Sequence, residues 1–501
     1  MASGFLFESA SGWSKVKGNS TFTKSLLVQH ATLLGIMDSK AINEPTNSGL
    51  RWFQMGPLFS VIGSNIINQA NISEMYMKAM LQAAMDENVQ YLETKASAYN
   101  KLYVLDANQT FAPRNGSDNE DGELEIKMVN NIVQQFRKDN PSFIGYKRII
   151  NSYRWKSTAK VGLDAERALR LYKKYPNLIS GFDMVSEEDK GYSLLFFLED
   201  FAKLAAQNIS LPYFFHTAET NWPDDLLTSI HADDPVATME NIYDAIILGA
   251  KRVGHGIGYL NHPYLMEILK KRKIAVEANP VSNQMLGYVP DQRHHPAITY
   301  LRYGMPVVLG ADDPATFGYN EFTLDWYEAF MAWGLNLGDL RHLAMNSLQY
   351  SSLSASEKIT AMAKWKIAWD IFITETKSKA CMHTFQNLTP SVHRIFPKEG
   401  HINGDTKIRV FGRNFQVAVC KTIICRFGSE LTYGTFVYEH MLICNSPKRT
   451  PQTLQTPINP LHVPLSLSLD NGATFQETGI VFSYLHANVS HHFTGTDIFG
   501  K

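Results

Sequence analysis

No cysteine precedes Cys381, and all four cysteines (Cys381, Cys420, Cys425 and Cys444) fall in the last quarter of the chain. The first three quarters must therefore be held by a hydrophobic core, whereas the C-terminal part has the means to form a bridge. Excess charge of either sign is missing as well. Lys and Arg number 47 against 48 Asp and Glu, a net charge of −1, with no run of like charge. Such a surface argues against nucleic acid or anionic lipid as the main partner. No apolar stretch approaches the roughly 20 residues of a membrane span. The opening Met1-Ala-Ser-Gly-Phe-Leu-Phe-Glu-Ser9 has no basic start and a broken apolar run, so it does not read as a signal peptide.

At 501 residues the chain exceeds one ordinary domain, and two domains are the natural expectation. Residues 1–60 are rich in Ser, Asn and Gly without a sustained period, and read as irregular or partly helical. A barrel-like unit is expected over residues 61–385, a β-sandwich over 389–486 and a tail over 487–501. From Ser73, apolar residues at helical spacing lead into a strand at Val89–Glu93, and Pro113–Gly122 reads as a surface loop. Further strands are expected at Phe143–Ile150, Leu178–Val185, Leu211–His216, Ala250–His255, Ile274–Ala278 and Met305–Asp312, separated by helix-compatible segments. Strands that alternate with helices imply a parallel sheet with right-handed crossovers. The fold class is thus α/β, a TIM-type (β/α)8 barrel with seven of its eight strands visible and the first one missing.

After about Asn387 the pattern changes to alternation at period two between Gly, Asn and Pro turns, which predicts a small all-β immunoglobulin-like sandwich. Its expected bridge is Cys425 to Cys444. Seven Asn-x-Ser/Thr sequons, at Asn19, Asn71, Asn108, Asn115, Asn208, Asn387 and Asn488, tilt the reading toward a secreted glycoprotein, although chance supplies several in a chain of this length.

Three of the expected strands end in groups able to bind a metal or move a proton: Tyr213-Phe-Phe-His216-Thr-Ala-Glu219, Arg252-Val-Gly-His255-Gly and Val307-Val-Leu-Gly-Ala-Asp312-Asp313-Pro314. Each has a bland reading of its own. His216 and Glu219 serve equally well to bond a loop, Gly-His-Gly as a turn, and Asp-Asp-Pro as a helix cap. In a parallel barrel, however, strand ends share one mouth, and the three together describe hydrolysis by metal-activated water. Zinc suits mixed imidazole and carboxylate donors.

With Gly181-Phe-Asp183-Met-Val-Ser186-Glu-Glu-Asp189, Asn279-Pro-Val-Ser-Asn283-Gln, His295-Pro296 and Ala344-Met-Asn-Ser347, these runs resemble the adenosine deaminases, most closely the extracellular growth-factor type, over roughly residues 50–380. The resemblance implies zinc-dependent deamination of adenosine and 2'-deoxyadenosine. His216 and Asp312 would ligate Zn2+, Glu219 would protonate purine N1, and His255 would orient and deprotonate the water. Asp313, Ser186 and Asp183 would contact substrate. It also implies an extracellular location and leaves a homodimer open. The chain departs from the family pattern in three ways. It has no His-x-His, His-Thr-Ala-Glu stands where His-Ala-Gly-Glu is usual, and Ser186 replaces a glycine. One His and one Asp fall short of the usual three to four protein ligands. That predicts weak zinc binding and little activity, and the alternative is a catalytically silent member acting as a secreted binding protein. The C-terminal sandwich resembles the IPT/TIG fold of plexins through Ile395-Phe-Pro-Lys-Glu-Gly, Gly412-Arg-Asn-Phe415 and the Cys425 and Cys444 segments. That likeness implies a role in binding an extracellular partner.

Overall fold

The computed structural model describes residues 48–61, 67–97, 101–105, 111–113, 116, 119, 122–207, 210–220, 231–319, 322–382, 388–449 and 460–485. The chain divides into two compact units, Met1–Trp365 and Lys366–Lys501.

All seven expected barrel strands are present in the first unit. β1 (Tyr91–Ser97), β4 (Gly145–Tyr153) and β5 (Ile179–Val185) form one parallel sheet in that order. A second parallel sheet follows chain order through β6 (His216–Thr217), β7 (Arg252–His255), β8 (Ala275–Ala278) and β9 (Val307–Leu309). A parallel bridge between Phe182 and Tyr213 joins the two sheets. Among the described residues no strand pairs β9 with β1, so the described strands leave an open seam there. Residues 1–47, the part of the chain in which a further strand was sought, lie outside the described residues.

The helices between strands follow from apolar spacing. Glu123–Asp139 buries Ile126, Val129 and Val133, and Thr158–Lys174 buries Val161, Ala165, Ala168 and Leu169, in each case one stripe turned to the sheet. β4 is buried along all but its last residue, as a strand covered on both faces must be.

Two strands are shorter than their apolar runs. The strand proper in the Leu211–His216 run is only His216–Thr217, although Pro212, Tyr213 and Phe214 also bond to the neighbouring backbone through Phe182 and Lys251. Met305–Asp312 shrinks to Val307–Leu309 as the backbone turns toward a left-handed conformation at Asp312 (φ 55°). Residues 48–61, read as irregular or partly helical, form a helix whose period is masked by Gly56 and Pro57. Its Met55 and Leu58 pack with Leu286, Tyr288, Val289 and Phe317, on the segments that follow β8 and β9. The sequence reading also missed an antiparallel pair, β2 (Tyr103–Leu105) with β3 (Phe111–Pro113).

The second unit contains β10 (Ser391–Phe396), β11 (Glu399–His401), β12 (Lys407–Arg413), β13 (Ile423–Phe427), β14 (Glu430–Tyr438), β15 (Met441–Asn445), β16 (Leu461–Ser468) and β17 (Gln476–Leu485). They form one continuous sheet that closes over its own core. Ile395, Val410, Phe427, Leu442, Leu465 and Phe482, from strands far apart in the sheet order, meet in a single cluster. Cys425 and Cys444 are bridged as expected. The bond joins β13 to β15 across β14, which lies between them, and Gly434 is the residue beneath it. A Cβ at Gly434 would stand 2.9 Å from Cys425 Sγ and 2.5 Å from Ile423 Cγ2, so a side chain there is excluded.

Candidate active site

The open ends of β5, β6, β7 and β9 share a backbone peculiarity. Four non-glycine residues have positive φ there: Ser186 (91°), Ala218 (59°), His255 (60°) and Asp312 (55°). Each is costly for a residue with a Cβ, and such costs collect where a side chain must be aimed against the preference of its backbone. Ala218 lies in the His-Thr-Ala-Glu stretch, so the residue that departs from His-Ala-Gly-Glu sits at a position whose backbone favours glycine. Close approach is enforced next door. In the β6–β7 register His216 faces Gly254, where a Cβ would come within 3.1 Å of His216 Cα.

Three of the expected groups meet. His216, His255 and Asp312 each offer a donor atom, and those atoms lie within 4.8 Å of one another. The two imidazole centroids are 4.9 Å apart, and His255 Nε2 is 3.8 Å from Asp312 Oδ2. Glu219 joins them, its Oε1 lying 3.4 Å from His255 Nδ1. Both histidines and Glu219 are buried, whereas solvent reaches Asp312 and Asp313 beside the open seam. The donors are therefore the right kinds, at the right separation, for a small divalent cation.

The electrostatics divide these groups by task. Burial, reinforced by Asp312, Glu188 and Asp189, pushes the Glu219 carboxyl well above the usual carboxylate range. Crowding by protein and then the neighbouring Asp312 raise Asp313 as well, although this residue is exposed and solvent moderates the shift. His255 is moved down to about 4, chiefly by burial. At neutral pH the site therefore holds Glu219 as a carboxylic acid beside a neutral imidazole.

Asp183 is not where the sequence reading placed it. It is fully buried behind His216, with Oδ1 accepting from the His216 backbone N–H (2.8 Å) and Oδ2 paired with His216 Nδ1 (2.7 Å) and Lys95 Nζ (2.9 Å). Both oxygens are committed to protein, which leaves none for a substrate. Although burial alone would raise it, His216 and Lys95 hold this carboxyl below its usual range. Lys95 also pairs with Glu277 (2.8 Å), which pairs with Arg252 (2.7 Å), which pairs with Glu93 (2.6 Å). This chain of buried ion pairs crosses β5, β1, β8 and β7 and fixes the floor on which His216 rests.

Several supporting residues carry no signal of their own in the sequence. Ser282 Oγ donates to Asp312 Oδ2 at 2.7 Å, the Glu219 backbone N–H donates to Glu188 Oε2 at 2.8 Å, and Arg154, wholly buried, donates to the His216 carbonyl. Only the density of polar residues in an apolar setting, as in Asn279-Pro-Val-Ser-Asn283, marks them.

The comparisons with known proteins agree with this geometry. The family model described as Adenosine deaminase matches residues 82–365, and that for the IPT/TIG domain matches residues 390–481. The chain belongs to the adenosine deaminase family. Adenosine deaminase 2 of Homo sapiens is 36% identical over 337 residues, 67% of this chain and 61% of that protein. An adenosine deaminase of Aedes albopictus is 35% identical over 322 residues, 64% of this chain and 56% of that protein. The chain thus spans about three fifths of the length of these curated relatives. Among solved structures, ADAL of Arabidopsis complexed with GMP superposes with a TM-score of 0.50 at 15% identity, covering 72% of this chain and 92% of that one. An amidohydrolase of B. ambifaria with bound Zn also gives 0.50 at 15% identity, covering 71% and 95%. At such identity the two structures establish the barrel fold and no more. No described helix is long and apolar enough to cross a membrane.

Proposed function

We propose that this deaminase-family chain hydrolyses adenosine and 2'-deoxyadenosine to inosine or deoxyinosine and ammonia, using a zinc ion held by His216 and Asp312. The observation that carries the proposal is the meeting of His216, His255 and Asp312 within 4.8 Å at neighbouring strand ends, with Glu219 beside them. Zinc, when bound, lowers the pKa of a coordinated water toward ~7 and so supplies a nucleophile at neutral pH.

The protein's own groups do the rest. Glu219, kept in its acid form by burial, carries the proton that purine N1 must gain as C6 is attacked. Purine N7 can only accept a hydrogen bond, so the carboxyl that meets it must be protonated, a form that the charge of neighbouring Asp312 favours at Asp313. Ser186, held at positive φ, offers its backbone N–H to the N3 edge. His255 lies between Glu219 and Asp312, where the attacking water is handled. Asp183 orients His216 from behind. Departure of ammonia from C6 leaves the 6-oxopurine.

A catalytically silent scaffold is not favoured, because a binding role has no use for a buried carboxyl held as an acid beside a buried neutral histidine. Among the described residues these two protein donors are fewer than the usual three to four, so weak zinc binding and activity that rises with added zinc are expected. The Cys425–Cys444 bridge and the sequons, of which exposed Asn71 is described, support an extracellular, glycosylated protein. The IPT/TIG unit is its protein-binding module.

With excess zinc the purified chain is expected to convert adenosine to inosine and equimolar ammonia, faster than it acts on guanosine or cytidine, and a chelator is expected to stop it. Absence of inosine at every zinc concentration, or equal turnover of cytidine, contradicts the proposal.

A further inference from the structure

The two imidazoles of the site have opposite surroundings. His216 Nδ1 faces a carboxylate oxygen, Asp183 Oδ2, at 2.7 Å. His255 Nδ1 faces two side-chain amide nitrogens, Asn283 Nδ2 at 2.9 Å and Asn279 Nδ2 at 3.3 Å, and, farther off at 3.4 Å, Glu219 Oε1, which in its acid form can also donate to it. We propose that Asn283 and His295 are positioning residues that fix His255 as the neutral tautomer protonated at Nε2. In that form His255 presents a hydrogen-bond donor toward Asp312, and acts neither as metal ligand nor as base.

One hydrogen bond in this line has a direction that cannot be reversed. The backbone N–H of Ala297 donates to His295 Nδ1 at 3.1 Å, at the start of the helix Pro296–Tyr303. His295 Nδ1 is therefore an acceptor. The ring is buried at 2% exposure and packed at a tilt against Trp333, an environment that excludes a second proton, so the single ring proton is on Nε2. That N–H donates to Asn283 Oδ1 at 3.0 Å, which settles which end of the Asn283 amide is oxygen. The opposite end, Nδ2, then points its hydrogen at His255 Nδ1. With Nδ1 accepting, the proton of His255 resides on Nε2, 3.8 Å from Asp312 Oδ2. Asn283, His295 and His255 are all at most 2% exposed, so no solvent competes along this line.

A metal-ligating histidine normally donates its second N–H to an acceptor behind it. His216 satisfies that rule through Asp183, and His255 breaks it. A donor at Nε2 is instead suited to hold the attacking oxygen and to stabilise negative charge as it develops there. The kinetic consequence rests on the deaminase reading given above, while the tautomer itself does not.

Long-range 1H–15N correlation spectra of 15N-histidine-labelled, zinc-loaded protein test the proposal directly. The expected spectrum shows His255 unprotonated at Nδ1 and protonated at Nε2, with His216 the reverse. A His255 ring protonated at Nδ1, or bonded to metal through Nε2, overturns it. N283D replaces the donor facing His255 by an acceptor and is expected to move the His255 proton to Nδ1. The kcat for inosine formation should then fall by about 10²-fold or more, while KM and the unfolding temperature stay near those of the wild type. An unchanged His255 tautomer in N283D also overturns the proposal. Should that variant not fold, the wild-type spectrum decides alone. An inactive wild type with the expected tautomer sinks the deaminase reading and spares this one, and an active enzyme with the opposite tautomer does the reverse.

Discussion

The barrel unit and the all-β unit bury polar groups for different ends. In the barrel the buried set includes Arg148, Arg154, Asp183, Glu188, Glu219, Arg252, His255 and His295, whereas the described part of the second unit buries Ser446, Arg449, Ser466 and Ser468. Desolvating charge is expensive and persists where it is paired or used. Some of the barrel's charges are paired, as in the run from Asp183 through Lys95, Glu277 and Arg252 to Glu93. Others, such as Glu219, are left without a counter-ion and are pushed into their neutral forms. The second unit is stabilised by apolar packing and disulfide bonding, which includes the Cys425–Cys444 bridge, and none of its described buried groups is poised for proton transfer. Burial of polar residues therefore marks chemistry in one unit and incidental hydrogen bonding in the other.

The sharpest way to break that contrast is E219Q. If Glu219 is the acid, the variant keeps its fold and loses about 10²- to 10⁴-fold in kcat for inosine formation, measured by the absorbance change of the purine. Replacing both Cys425 and Cys444 by serine should do the opposite. It is expected to cost the second unit about 2–5 kcal/mol in denaturant unfolding and leave turnover by the barrel unaltered. A fall in turnover that matches the loss of stability would erase the division of labour.

D183N tests the floor of the site. Removing the carboxylate that fixes His216 is expected to weaken zinc binding by about 10- to 100-fold in competition with a chelator, without moving the KM for adenosine much. An altered KM with unchanged zinc affinity would return Asp183 to the substrate side.

Much of this was legible in the sequence. Seven strands could be placed because each is an apolar run bounded by turn residues, and His216, His255 and Asp312 stood out because polar groups followed those runs abruptly. Cys425 and Cys444 were the expected bridge among four cysteines whose connectivity the sequence leaves open, and the two are bonded. Contacts made by geometry at long range were not legible. Lys95 precedes His216 by 121 residues and reaches it only because β1 and β6 lie in one ring, and His295 acts on His255 only through Asn283. Asp183 was misassigned because a carboxyl at a strand end reads alike whether it faces the mouth or the neighbouring strand. The helix Ser48–Val61 was obscured by Gly56 and Pro57, though tertiary packing of Met55 and Leu58 overrides their poor propensity.

Two smaller effects refine the picture of the barrel. Burial raises Asp189 to about 7, with Glu188 adding to it, so its folded pKa lies above the unfolded value of 3.8. The stability linked to the protonated acid is complete below about pH 4 and is lost as pH rises through about 7. D189N should flatten that part of the stability profile in urea titrations from pH 4 to 8, and an unchanged slope would contradict the assignment. A218G relieves a non-glycine residue at φ 59° and is expected to stabilise the barrel by up to about 1 kcal/mol. A loss of stability would mean that the Ala218 methyl contributes more through packing than its backbone strain costs.

The central claim is that one ion belongs between His216 and Asp312 with His255 beside it. Anomalous diffraction at the zinc edge, from crystals grown with excess zinc, tests this most directly. The account predicts a peak bonded to His216 Nε2 and an Asp312 carboxylate oxygen, with His255 close but not bonded. No peak there at saturating zinc, or a peak elsewhere in the barrel, would contradict it.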